Sequence, residues 1–296
     1  MIRILEKDPI VVVIATSKGR TNLLYERSLR SVYTQVDAHP KEIVIVDDNH
    51  KHPGEFEHIT ECIERLRTEV FKRYVKKEIP LDDIFKTTLL KNKRTKGHSG
   101  TGAWNTALYY LEKKYEDLRG FFITILDDDD SYHNAYLSRC SEIIKKKGEQ
   151  LAAIFPYLEW VKSDGNVVHD FSHIDLTQKA FLIGNPGIQG SNMCIRGDLF
   201  MEIRGFDEKL HSATDRDLMI RFLDHLDLKS ELDIEIIPEP MVLHHTDRKD
   251  RVTEDKNKKK LGLDVFYNKY RTRFSKKDME ISLERAERLF GYECNK

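Results

Sequence analysis

The stretch FFITILDDDDSYHNAYL (residues 121–137) sets four consecutive carboxylates, Asp127, Asp128, Asp129 and Asp130, directly behind an apolar run. Four like charges in a row repel one another unless a cation, a helix N-terminus or solvent relieves them. A divalent metal is the chemistry this arrangement suits; the structural alternative is a strand-to-helix turn with an aspartate capping the next helix. A second acidic pair, Asp47 and Asp48, closes the segment EIVIVDDN (residues 42–49), where ordinary turn chemistry is the alternative. Asp215 stands in HSATDRDL at the head of an amphipathic stretch, and the pair His244 and His245 ends the run DIEIIPEPMVLHH.

The elements that must position these groups follow from periodicity. IVVVIAT (residues 10–16) is a continuous β-branched run, the pattern of a strand buried on both faces, and SKGR follows as a loop. LLYERSLRSVYTQ (residues 23–35) spaces Leu24, Leu29, Val32 and Tyr33 for a helix, and EIVIVDDN reads as a second buried strand. Strand, helix, strand at this pitch predicts a βαβ unit and a parallel sheet. Residues 55–77 and 100–115 read as further helices around the buried strand FFITIL. Ligands of open parallel sheets sit beyond the carboxyl ends of the strands, so Thr16, Asp47, Asp48 and the Asp127 cluster should gather along one edge.

After Gly148 the texture changes. Residues 151–171 read as two antiparallel strands joined across SDGN, a hairpin signal. Residues 184–206 are glycine-rich and then helical, residues 213–226 form an amphipathic helix, and residues 233–245 a late strand. Residues 246–262 carry almost no apolar side chain and read as a mobile loop; its basic cluster, Lys256, Lys258, Lys259 and Lys260, is either a lid over phosphate or a solvated face. The tail (residues 276–292) is an amphipathic packing helix with Met279, Leu283, Ala286 and Leu289 or Phe290 on one face.

Composition narrows the function classes. The 296 residues, 40% hydrophobic, allow one to two domains and a sizeable core. The 49 basic and 50 acidic residues leave a formal charge of -1, so no global field draws nucleic acid or an anionic membrane. The apolar run near the start is too short for a signal peptide and no run is long enough to span a bilayer, which predicts a soluble, cytoplasmic protein. Cys62, Cys140, Cys194 and Cys294 form no CxxC pair, which points to neither zinc nor a disulfide framework.

In their order, VVVIATSKGR, EIVIVDDN, ILDDDDSYHNAYL and MEIRGFDEKLHSATDRDLMIR resemble the motifs of glycosyltransferase family 2, the nucleotide-sugar-dependent enzymes with a GT-A fold. The resemblance spans residues 10–221. It implies an α/β fold with a mixed, mainly parallel sheet flanked by helices. It further implies a GT-A domain over residues 1–250, with a nucleotide-sugar-binding half (1–130) and an acceptor-binding half (131–250), followed by a flexible basic loop and C-terminal helix (251–296).

The resemblance also implies roles. Asp47 matches the residue that hydrogen-bonds the nucleobase, with Thr16, Ser17 and Asp48 beside the base and Arg20 reaching toward a phosphate or lying free on the surface. Asp127, Asp129 and Asp130 match the family's Asp-x-Asp-Asp. Asp129 would be a metal ligand, and Asp127 would serve the ribose, the metal or its water. Mg²⁺ or Mn²⁺ suits such oxygen donors and would neutralise charge on a departing nucleoside diphosphate. His245, in preference to His244, would approach that metal. Asp215 matches the general base of an inverting transfer, with helix capping as the alternative for Asp215 or Thr214. Gly190, Ser191 and Asn192 in QGSN would border the acceptor, although such residues are also turn-forming.

Departures are visible. Thr214 replaces the usual Glu, Ala15 a common Pro, Ser17 a frequent aromatic, and Trp104 a frequent Arg, Trp104 being equally a core residue or a sugar platform. The expected donor is a uridine diphosphate sugar; the sugar, the acceptor hydroxyl's parent molecule and the oligomeric state are not encoded in any motif. Two other readings compete: a nucleotidyltransferase, which would show a glycine-rich basic loop that ATSKGRTN lacks, and a silent nucleotide-sugar-binding scaffold, which would have lost the carboxylates.

Overall fold

Alternation along the first strand decides where the core lies. Ile10, Val12 and Ile14 pack with Leu24, Leu29, Ile59, Leu66 and Tyr136, while Val11 and Val13 pack with Ala103, Leu108, Leu111 and Phe200. A period of two thus puts one sheet between two apolar layers. The computed structural model describes residues 7–49, 54–74, 85–94, 100–169, 174–247 and 256–293.

The described strands form one sheet: β1 (Asp8–Thr16), β2 (Pro40–Asp47), β3 (Thr87–Lys91), β4 (Phe122–Asp127), β5 (Ser131–Tyr132), β6 (Leu151–Val161), β7 (Val167–His169), β8 (Cys194–Arg196) and β9 (Asp233–His245). The order is β3-β2-β1-β4-β8-β6-β9-β5, with β7 paired to β6. β3, β2, β1 and β4 run parallel. Their register sets Thr16 opposite Asp47, Asp47 opposite Lys91 and Ala15 opposite Asp127, so the strand ends share one edge as expected.

The second half returns to that edge. β4 ends at Asp127 and β5 starts at Ser131, yet β5 stands at the far end of the strand order. β8 is antiparallel to β4 and β6, β9 parallel to β6, and β5 antiparallel to β9. The sheet therefore curls until the end of β9, carrying His244 and His245, meets the turn behind β4. The hairpin forms where SDGN predicts it, with Lys162 N–H bonded to Asn166 O.

Helices cover both faces. Thr21–Leu23, a π-helical turn Leu24–Ser28 and Leu29–Tyr33 are continuous, and Gly54–Tyr74 and Tyr136–Lys147 pack on the same layer. Thr101–Lys114 and Thr214–Leu226 lie in the other. Asn105 of the former clamps the Gly-Phe-Asp-Glu segment: its side chain accepts from Phe206 N–H (2.9 Å) and donates to Phe206 O (2.9 Å) and Glu208 (2.7 Å).

The expectation of a loop over residues 246–262 is corrected from Lys256 onward, where helix Lys256–Tyr270 begins; residues 248–255 lie outside the described set. Leu263, Phe266, Tyr267 and Tyr270, at helical spacing, bury one face and extend a helix back through the polar lysine turn. Gly262 lets this helix touch Ser212, since a Cβ there would overlap the Ser212 backbone. Buried Asp217 of helix Thr214–Leu226 ties helix Lys256–Tyr270 down through Tyr270 (2.8 Å) and is itself paired with Arg221 one turn on (2.8 Å). The C-terminal helix Lys276–Phe290 buries Ala286 with Met279, Leu283 and Phe290 against the core, leaving Leu289 exposed.

Candidate active site

The turn behind β4 is a built structure. Asp130 is buried and accepts from Ser191 Oγ (2.6 Å) and from His245 N–H (3.1 Å), and it pairs with His244 Nδ1 (2.9 Å). Burial alone would raise its carboxyl, but these partners outweigh burial and hold it below the usual range. Ser191 Oγ also accepts from Asp127 N–H at 3.1 Å, so one hydroxyl links both ends of the tetrad. Helix Tyr136–Lys147 has Ala135 at its N-cap and no side-chain cap, so the aspartates do not serve that end.

Arg20 bridges the middle of the tetrad. Its Nε donates to both oxygens of Asp128 (2.8 and 2.9 Å) and its Nη2 reaches Asp129 at 2.8 Å. Burial pushes the Asp128 carboxyl up to about 6 against the pull of Arg20. Arg27, one π-bulged helix turn further, donates to Asp129 O (3.3 Å) and pairs with Asp247 (3.0 Å). Asp127 forms no ion pair among the described residues, and Arg20 acts on it only from a distance. Burial, then Asp130, Asp129, Asp215 and Asp128, drive its carboxyl well above the ordinary range.

Beside the tetrad, Asp47 is buried in a turn that accepts from Asn49 N–H (3.0 Å), and burial raises its carboxyl. Asp48 donates its N–H to Thr16 O (2.9 Å) and accepts from Asn92 Nδ2 (2.6 Å). Ser17 O accepts from Arg20 N–H (3.1 Å), closing the turn that aims Arg20 at the aspartates. Thr16, Ser17, Asp47 and Asp48 thus form a wall one strand away from Asp127.

Asp215 opens helix Thr214–Leu226 opposite this wall. The N-cap position belongs to Ala213, which adopts φ 60°, and no side chain caps the helix, so neither Thr214 nor Asp215 is spent on capping. Burial pushes the Asp215 carboxyl up to about 6, opposed by Lys259 and His244. Its charge is one of those that raise the Asp127 carboxyl.

Two expectations look different in three dimensions. Ser191 and Asn192, expected beside the acceptor, have fully buried side chains; Asn192 donates to Pro156 O (2.8 Å) and Gly187 O (3.0 Å). Gly190 is the member of this trio nearest the mouth, where a Cβ would stand 3.8 Å from Asp127 Oδ1. Trp104 is a core residue, packed on Phe206 at 4.7 Å between ring centres. His245 Nε2 lies 3.1 Å from Ser131 Oγ, while burial and then Arg27 lower the pKa of its ring. Among the described residues no three His, Cys, Asp or Glu side chains converge into a metal cage.

No family model and no curated protein matches the sequence. Solved structures do match. S. aureus TarS 1-349 in complex with UDP-GlcNAc superposes with a TM-score of 0.54 at 15% identity, over 97% of this chain and 74% of that one. The same protein in complex with UDP gives 0.53 at 16%, over 97% and 73%. The mannosyltransferase PcManGT from Pyrobaculum calidifontis, in complex with GDP-Man and Mn²⁺, gives 0.58 at 15%, over 95% and 70%. The chain has the GT-A glycosyltransferase fold. In this GT-A frame the tetrad and the Asp47 wall share the carboxyl edge of the parallel strands. Three of the site's supports escape a linear reading: Arg27, Asn92 and the pairing of His244 with Asp130. Only Asn92, in KNK just beyond β3, follows a strand end as Asp47 does. No helix among the described residues is long and apolar enough to cross a membrane.

Proposed function

We propose that this GT-A protein is a metal-dependent, inverting glycosyltransferase that moves a sugar from a nucleoside diphosphate donor, a uridine diphosphate sugar first, to an acceptor hydroxyl, with Asp215 as general base. The observation that carries the reading is the built tetrad behind β4, in which Ser191 Oγ links Asp127 N–H to Asp130 and Arg20 holds Asp128 and Asp129, together with an Asp215 that is not spent on capping its helix. The solved structures bound to UDP, UDP-GlcNAc and GDP-Man with Mn²⁺ support the donor class and the ion.

The donor set fits a hard divalent cation of the Mg²⁺ or Mn²⁺ type. Such ions are often held by one or two carboxylates, with diphosphate oxygens and water completing the shell, and need no all-protein cage. Asp127 and Asp129 would hold it, with His245 close by through its N–H bond to Asp130. When bound, the cation supplies charge neutralisation on the departing diphosphate. Thr16, Ser17 and Asp47 hold the base and Asp127 the ribose side. Asp48 and Asn92 brace that wall, as Ser191 braces the tetrad and Asn192 the turn beside it, leaving Gly190 to face the acceptor.

Asp215 takes the proton from the acceptor hydroxyl as that oxygen attacks the anomeric carbon and the bond to the diphosphate breaks, which inverts the centre. Arg20, fixed on Asp128, limits repulsion inside the tetrad and offers its outer edge to a phosphate oxygen. The nucleotidyltransferase reading loses ground because the first βα turn directs its arginine at carboxylates.

The pH profile tests the base. A base works only when ionised, and burial pushes the Asp215 carboxyl up to about 6. The transfer rate is therefore expected to be level above about pH 7 and to fall roughly tenfold per pH unit below about pH 6. A rate flat from pH 7 down to pH 5 would remove Asp215 from this role.

A further inference from the structure

Around the start of helix Thr214–Leu226, which carries Asp215, three cations come together from helices Lys256–Tyr270, Thr214–Leu226 and Lys276–Phe290. Lys259 comes from helix Lys256–Tyr270, whose Lys259 carbonyl accepts from Ser212 Oγ (3.1 Å), three residues before Asp215. Its Nζ lies over the Phe290 ring at 4.3 Å. Arg216 follows Asp215 directly; its Nε donates to Phe181 O (2.8 Å), a second donor goes to Leu182 O, and its guanidinium stands 4.1 Å from the Phe266 ring centre. Arg285 lies flat on Gly184, where a Cβ would come within 2.9 Å of its Cζ and Nε.

Among the described residues neither Lys259 nor Arg285 forms an ion pair, and Arg216 is held by neutral groups, the Phe181 and Leu182 carbonyls, the Tyr267 side chain and the Phe266 ring. Desolvated cations are costly without an anion nearby. The strain shows: burial, then Arg216 and Arg285, pull the Lys259 ammonium down to about 8, and burial pulls Arg216 down to about 10. Asp215 is the one carboxylate whose charge acts on Lys259 to oppose this. That carboxylate must be free to receive a proton, so it is a poor permanent counter-ion.

We propose that Lys259 and Arg285, with the buried Arg216 beside them, form an anion subsite for the acceptor, which seats a phosphate or carboxylate group carried near the hydroxyl that Asp215 deprotonates. The inference rests on the transferase reading. In an inverting displacement the diphosphate leaves on the face opposite the attacking oxygen, so an anion site on the base's side belongs to the acceptor. The charges divide accordingly: the tetrad answers to Arg20, Arg27 and His244, whereas Lys259 answers to Arg216, Asp215 and Arg285. Guanidinium forks suit a two-oxygen face of either anion, and the aromatic walls keep the cations extended. Gly184 has extended backbone at φ -162°, open to any residue, so its missing side chain leaves room for Arg285.

Calorimetric titration of the full-length protein tests this with three probes, in the presence and absence of UDP and Mn²⁺: a glycerol-phosphate trimer, a galacturonic acid trimer and a neutral galactose trimer. An anionic trimer is expected to bind about tenfold or more tightly than the neutral one, and which of the two does so separates phosphate from carboxylate. Lys259→Met and Arg285→Met should each weaken that binding by about tenfold, with UDP affinity unchanged. Arg285→Lys should restore part of it. Gly184→Ala, which keeps every charge and displaces the guanidinium, should weaken it as well. Equal affinity for the neutral trimer, or anion binding that survives both methionine substitutions, would overturn the subsite. Anion binding lost with Lys259 and Arg285 in a protein that ignores UDP would uphold the subsite and sink the donor reading instead.

Discussion

Replacing Asp215 by asparagine is expected to leave nucleotide binding intact while slowing glycosyl transfer by roughly 10²- to 10⁴-fold, the usual contribution of a positioned general base. The substitution keeps the shape of the side chain and removes its ability to take a proton. The lost charge caps no helix, and buried Asp217 carries the ties to Arg221 and Tyr270, so the fold loses only the balance that Asp215 gives Lys259. A kinetic assay with the donor saturating separates the two effects. A fall in kcat at unchanged donor affinity identifies the base, and turnover at the wild-type rate assigns the proton to another group. His244, whose charge already acts on Asp215, would then be the first residue to examine.

Asp129→Ala is expected to abolish metal-dependent nucleotide binding while leaving the unliganded melting temperature nearly unchanged. Within the tetrad, Asp128 and Asp130 expose only 3% and 1% of their side chains, whereas Asp129 exposes 14%. Its contacts are correspondingly dispensable: Arg20 keeps both oxygens of Asp128 when Asp129 is shortened, and Arg27 binds the Asp129 backbone carbonyl. A ligand at about 100 times its dissociation constant stabilises a fold by about 2.7 kcal/mol, and in this variant that increment should vanish for metal plus nucleotide together. Asp128→Ala should behave in the opposite way, with a lower melting temperature because Arg20 loses its principal partner. If Asp129→Ala binds nucleotide with the metal-dependent affinity of the wild type, the ion sits elsewhere.

Much of the frame is legible in the sequence because the signals are local. The runs IVVVIAT, EIVIVDDN and FFITIL are strands buried on both faces, and their parallel register alone brings Thr16, Asp47 and Asp127 to one edge. β3, with five residues of mixed burial, and β8, with three, are too short to show a period; β8 sits inside a segment that reads as glycine-rich and then helical. Helix Lys256–Tyr270 begins in a polar turn that looks solvated until Leu263, Phe266 and Tyr267 supply the stripe that anchors it. The support of the site is long-range. Ser191 on the tetrad, Asn92 on Asp48, His244 on Asp130 and Lys259 near Asp215 join residues far apart in the chain, and no spacing announces such pairs. The same limit explains Ser191 and Asn192, whose turn-forming character was plain but whose burial depends on how β8 packs between β4 and β6.

The central claim, a nucleotide-diphosphate site built on the aspartate tetrad, is tested most directly by the thermal midpoint of the purified protein against UDP, GDP, ADP and UDP-sugars, with and without Mn²⁺. Stabilisation by one nucleoside diphosphate, UDP foremost, that requires the metal is the result this structure leads us to expect. An unchanged midpoint with every nucleotide, in the presence and absence of metal, would contradict it and leave the tetrad as a structural turn held by Arg20, Ser191 and His244.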